Sequence, residues 1–318
     1  MTSIDSAASA TGSAFSGRSL QASSRRYGEK AIVAFLAACA VLSVAITTAI
    51  VASLLIPTID FFGQVSLEAF FLDTTWAPRQ ATGRFGVWPI VVGTLNVVFW
   101  ALLVAIPVGL ASAIYLSEYA SARARKTIKP VLEVLAGIPT VAIGLFAFFA
   151  MRPAAAALLP FLDWSSLWSV GVAGVAVGLM TVPLVASISD DAMRAVPAAL
   201  REGGYGLGAN KLKVSLRIVF PAAISGIVAS IVLAGSRAVG ETMVVLIAAG
   251  RTPALTVDPT RSVQTMTAYI AGTATGDIPT GTLDYNTIFA VGTLLFAATF
   301  ALNLVAIRLV RRFREVYE

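Results

Sequence analysis

Six stretches of this chain run for more than 20 residues with almost no charge: 31–56, 90–116, 131–151, 167–188, 222–249 and 287–310. About 20 apolar residues, each rising 1.5 Å, cross the hydrocarbon core of a bilayer, so each stretch predicts one membrane-spanning helix. The expected fold class is therefore all-α, integral to the membrane, with six transmembrane helices. Residues 1–29 are rich in Ser, Ala and Gly and carry no apolar period. They bury too little to offset the entropy of ordering and are expected to be a disordered tail ahead of a six-span domain at 30–318. The apolar run that follows is too long for the h-region of a cleaved signal.

Composition narrows the chemistry. The 318 residues are 57% hydrophobic and 13% charged, with a mean hydropathy of +0.83. Histidine is absent and Cys39 is the single cysteine, which excludes a Ser-His-Asp triad, a zinc site of the usual ligands and an intrachain disulfide. The chain is expected not to be an enzyme, and to bind no cofactor of its own. The net charge of +6 reads as topology, not as a nucleic-acid surface. Of the 23 Lys and Arg residues, 17 fall in the tail, the 117–130 loop, the 189–221 loop and the C-terminal segment. By the positive-inside rule these segments and both termini are cytoplasmic. The two long outer segments, 57–89 and 250–286, are rich in Trp, Phe, Gly and Pro, which predicts packed loops or short interfacial helices suited to docking, or plain connections.

The inner segment 202–221, EGGYGLGANKLKVSLRIVFP, opens on an acidic residue and glycines and continues with Leu212, Leu216 and Val219 at helical spacing. An apolar face of that kind needs a partner; the alternative is a basic loop lying on anionic lipid. The order Glu202, Gly208, Ile218, Pro221 resembles the EAA coupling loop of ABC importer permeases, with Gly203 and Gly204 in place of two alanines and Phe220 in place of leucine. That resemblance implies the type I ABC importer permease fold and a loop, within 189–221, that inserts into a cytoplasmic ATPase through residues such as Leu212. No G-x-x-x-x-G-K-[ST] occurs, so ATP and Mg would be bound by the separate ATPase chain. The stretches FGVWPIVVGTL, AIPVGLASAIYLSEYA, LEVLAGIPTVAIGLFAFF, GGYGLGA and SRAVGETMVV are similar to permeases of the high-affinity phosphate (Pst) importer, the C-type subunit more closely than the A-type. The resemblance implies an A-type permease partner, a dimer of ATPase subunits and an extracytoplasmic phosphate-binding protein. Sulfate, molybdate or phosphonate stay open as cargo, and a stand-alone secondary anion transporter is the competing class.

Within the fifth apolar stretch, Arg237 and Glu241 stand four residues apart in GSRAVGETMVV. One helical turn apart, they are expected to share a face about 6 Å apart and neutralise each other. A charge this deep costs on the order of 3 kcal/mol, and such residues face a protein interior or a water-filled path. Two readings result. Arg237 is the forked donor of an oxyanion pathway, with Glu241 as its resting counter-ion and Ser236 and Thr242 as hydroxyl donors; or the pair is a salt bridge between spans.

Overall fold

The computed structural model describes residues 27–80 and 82–313, so the expected tail lies outside the described residues except for 27–29, which open the first helix. The chain divides into two units, Met1–Val51 and Ala52–Glu318. In the first, the described residues form the beginning of α1 (Tyr27–Phe62), with side chains exposed over 28–50.

The second unit starts inside α1 and continues with α2 (Leu67–Phe71) and a short antiparallel hairpin, β1 (Trp76–Ala77) and β2 (Arg84–Phe85). Next come α3 (Trp88–Ile114), extended by a π-helical turn to Tyr119, then α4 (Ala122–Ala136) and α5 (Thr140–Phe146). A second π turn joins α5 to α6 (Arg152–Leu158), and α7 (Val170–Arg194) follows. The inner loop holds α8 (Ala198–Gly206), α9 (Lys211–Val214), a π turn over Ser215–Val219 and α10 (Phe220–Ala222). The chain ends with α11 (Ile224–Val239), α12 (Met243–Ala248), α13 (Met266–Ala274) and α14 (Leu283–Phe313). Side-chain oxygens of Ser66, Ser121, Ser169, Asn210 and Thr265 start α2, α4, α7, α9 and α13 by accepting a backbone N–H three residues on.

Among the described residues five helical segments are long and apolar enough to span a membrane, and a sixth span exists if Lys211–Ala222 and Ile224–Val239, bent by 72°, are taken as one. Two expected spans move. The third lies at Thr140–Leu158, because Gly137, Ile138 and Pro139 stop α4 and start α5: proline has no N–H to continue the ladder. Residues 131–136, expected in that span, belong to the amphipathic α4. The fifth, expected unbroken over 222–249, is interrupted at Gly240. The outer segments do pack, Phe61, Phe70, Trp76 and Tyr269 forming a chain of edge-to-face rings.

The core is the crossing of α3 and α7. Ala101, Ala105, Ala173 and Ala186 are fully buried, and Gly174 and Gly178 press on the α3 backbone. A Cβ at Gly174 would stand 2.4 Å from Cβ of Trp100, and one at Gly178 2.7 Å from the Ala101 carbonyl oxygen. Lipid tails are as apolar as leucine, so helices in a membrane associate through such close packing and not through exclusion of water. Gly178→Ala is expected to lower the thermal midpoint of the detergent-purified protein, at an overpacking cost of about 1–3 kcal/mol. Gly203→Ala, where a Cβ meets nothing within 4 Å, should raise it, through a helix-propensity gain of up to about 1 kcal/mol. Equal midpoints for the two variants would refute this account of the core.

Candidate functional site

The break after α11 decides the surroundings of the predicted charges. Gly240 ends the helix, and the Glu241 carboxylate turns forward: its Oε1 accepts from the N–H groups of Met243 at 3.1 Å and Val244 at 3.2 Å, the first donors of α12. Its own carbonyl accepts from the Thr267 hydroxyl of α13 at 2.6 Å. The groups freed by breaking a helix in the membrane are thus satisfied by a side chain and a neighbouring element. Glu241 is 9% exposed, and a carboxylate at a helix start is favoured by the partial positive charge of the free N–H groups.

The expected pairing of Arg237 with Glu241 is therefore corrected. It assumed one continuous helix, and with the helix ended at Gly240 the carboxylate no longer follows Arg237 on the same face. Among the described residues no hydrogen bond or ion pair holds the Arg237 guanidinium, and its side chain is exposed. It lies in the last turn of α11, about 20 Å along the helix from Ile224. Ser236 donates to Asn303 Oδ1 of α14 at 3.3 Å, and Thr242 donates to the Gly240 carbonyl. Of the four predicted pathway residues, one cation is left without a partner and three side chains are engaged in holding the break or its neighbours.

The inner loop is built as two short helices. α8 ends in a Schellman motif: Ala209 N–H bonds to Gly204 O at 3.1 Å and Gly208 N–H to Tyr205 O at 2.9 Å, with Gly208 at φ +78°. That left-handed position explains the glycine six residues after Glu202. Gly204 is buried, and a Cβ there would stand 2.6 Å from Ile218 Cδ1 and 3.1 Å from Val214 Cγ2, so α8 rests on the next helix at the place of a departure from the EAA pattern. Pro221 is exposed in α10, just before the bend into α11. The expected apolar face of Leu212, Leu216 and Val219 splits. Val219 is fully buried, whereas Leu212 and Leu216 are 55% and 46% exposed. The π turn at Ser215–Val219 winds less per residue than an α-helix, so a residue seven positions on does not return to the same face. The outward surface is instead Leu207, Leu212, Leu216 and Tyr205, with Glu202, Lys213 and Arg217 around them.

Two ionic anchors were not foreseen. Arg201 Nη2 meets Glu118 Oε1 at 3.1 Å and the Met193 carbonyl at 2.7 Å, and its Nη1 meets the Val196 carbonyl, which clamps α8 to the ends of α3 and α7. Lys211 Nζ lies 4.9 Å over the Tyr119 ring. Asp190, fully buried at the end of α7, accepts from Arg125 at 2.6 Å, with Lys129 at 3.7 Å. The signal in the sequence was Asp190 and Asp191 ending an apolar run, facing a loop with Arg125 and Lys129.

Residues 105–315 match the family described as the binding-protein-dependent transport system inner membrane component. The chain belongs to this family. The permease is 31% identical over 265 residues, 83% of this chain and 84% of the relative, to the probable ABC transporter permease protein YqgH of Bacillus subtilis. It is 30% identical over 75% of this chain and 76% of the relative to the phosphate transport system permease protein PstC of Mesorhizobium japonicum. It is 31% identical over 80% of this chain and 85% of the relative to PstC 1 of Mycobacterium tuberculosis. The fold is that of solved ABC transporter chains, among them one from a bacterial alginate transporter (TM-score 0.62, 14% identity, 92% of this chain and 100% of that one). A chain of the MetNI methionine transporter aligns at TM-score 0.52 and 19% identity over 72% of this chain and 95% of that one.

Both bonds of the Glu241 cap go to one oxygen, which an amide also supplies. Glu241→Gln should therefore fold and insert like the wild type. Glu241→Ala should destabilise by about 1–2 kcal/mol, the cost of a lost cap. Thermal melts of the two variants check this, and a Gln variant as unstable as Ala would show that the charge, not the cap, holds the break.

Proposed function

We propose that this permease is the C-type subunit of a phosphate importer, forming half of the translocation pathway with an A-type permease. The observation that carries the reading is the set of phosphate-permease relatives at about 30% identity over three quarters or more of the chain. The unpartnered Arg237 supports it. A guanidinium facing hydrocarbon costs on the order of 3 kcal/mol, whereas at a water-filled seam between two permeases it stays solvated and offers a planar fork to a tetrahedral anion. Glu241 serves as the cap that sets where α11 stops, and so where Arg237 stands. With no counter-ion beside it among the described residues, Arg237 is open to the anion in every cycle; the desolvation that anion must undergo keeps its binding weak enough for passage.

Both termini and the α8–α10 loop face the cytoplasm in this reading, following the basic residues. There the outward Leu207, Leu212 and Leu216 insert into the ATPase dimer, which binds ATP and Mg; this chain binds neither. The rigid clamp of Arg201 on Glu118 makes the loop and the ends of α3 and α7 move as one body, as coupling requires. A phosphate-binding protein docks on the opposite face, on the hairpin and α13.

Arg237→Ala is expected to abolish phosphate uptake by the reconstituted complex while assembly and ATPase stimulation persist, and Arg237→Lys to restore little of it. Transport at wild-type rate by Arg237→Ala removes the residue from the pathway. Leu212→Asp should prevent capture of the ATPase in pull-down; undiminished capture would place the docking surface elsewhere. Uptake of labelled phosphate unaffected by excess sulfate identifies the cargo.

A further inference from the structure

A cavity of about 380 Å³ opens between the β1–β2 hairpin and α13, on the face carrying the two long outer segments. Arg79 and Arg251 both line it, from segments 172 positions apart in sequence. Their guanidiniums lie over the same end of α13: a Cβ added at Gly276 would be 3.5 Å from Arg79 Nη2, and one at Gly272 4.0 Å from Arg251 Cζ. Neither arginine has a hydrogen bond or ion pair among the described residues. Asp73, the carboxylate of the hairpin segment, is taken by Arg84 at 2.6 Å.

Trp76 lines the same cavity, 4% exposed and packed edge to face on Tyr269. With Asp73 taken, the described residues lining the cavity include no carboxylate to balance the two cations. Gln264, Thr273 and Tyr269 also line the space. Burial pushes the Tyr269 phenol above its ordinary range, so it stays neutral and does not repel an anion.

The cavity is joined to the break in the fifth span. Arg251 follows the end of α12, whose other end is capped by Glu241, and α13 bonds to the Glu241 carbonyl through Thr267. The six residues of α12 span about 9 Å.

We propose that this cavity is an outer site for a small tetrahedral oxyanion, which receives the cargo ahead of Arg237; the inference rests on the reading of the chain as an oxyanion permease. Arg79 and Arg251 supply charge and donors, and Gln264, on the same wall, supplies a neutral amide donor. Two separated cationic stations, each weak, let an anion enter without being trapped.

The test is equilibrium dialysis of labelled inorganic phosphate against the full permease–ATPase complex in phosphatidylcholine nanodiscs, without binding protein or ATP. Saturable binding is expected below about 10 mM. Arg79→Gln and Arg251→Gln should each weaken it about tenfold or more, the worth of a charge-assisted bond. Arg→Lys at either position should retain most of the affinity because the charge remains. Unchanged binding in both Gln variants, or none in the wild type, overturns the proposal. A wild-type site filled only when phosphatidylglycerol is added assigns the cavity to a lipid headgroup and also overturns it. If the complex takes up sulfate and not phosphate, the cargo reading fails. The outer site is then upheld if the Gln variants weaken sulfate binding and overturned if they do not.

Discussion

Close approach of two helix backbones in a medium that offers no hydrophobic drive between them is the constraint on which this molecule depends. α3 and α7 meet through Gly174, Gly178 and a column of buried alanines, at distances that leave no space for a Cβ at either glycine. Dispersion contacts at this density replace water exclusion as the source of association. The crossing fixes both ends of α7. One end, at Ser169, is bonded to the Pro259 and Ala248 carbonyls of the outer elements. The other, at Asp190 to Met193, holds α4 and the inner loop through Arg125 and Arg201.

From that pillar, the break between α11 and α12 acquires its meaning. A helix interrupted in a membrane exposes N–H and C=O groups that hydrocarbon cannot satisfy. Glu241 accepts two of the donors and Thr267 donates to a carbonyl, so the interruption is an ordered element and not a local failure. It ends the fifth helix two residues after Arg237, which places a permanent charge beside a helix end whose free carbonyls favour it. The same residues tie α12 and α13 to the break, and with them the outer cavity.

The inner loop shows how a motif records geometry. Gly208 occupies a left-handed position that closes α8, and Gly204 lets α8 lie on Ile218 and Val214. The anchors on Glu118 and Tyr119 pin this pair of helices to α3 while leaving Leu207, Leu212 and Leu216 outward. The pair is thereby a rigid seat with an apolar outward face.

Hydropathy alone was enough to reveal a helical membrane protein with up to six spans, because apolar run length is a one-dimensional property that bilayer thickness reads directly. The EAA-like spacing likewise marked the inner loop, since a left-handed glycine and a bend at proline are local requirements. The placement of side chains across elements was not legible. The pairing of Arg237 with Glu241 assumed helical continuity that Gly240 ends, and the face of Leu212 and Val219 assumed an α-helical period that a π turn changes. Arg79 and Arg251 are separated by most of the spans in sequence, and nothing local indicates that both lie over the end of α13. Those contacts were decided by the tertiary structure, because an interaction between distant segments depends on how whole helices cross and not on the residues beside it.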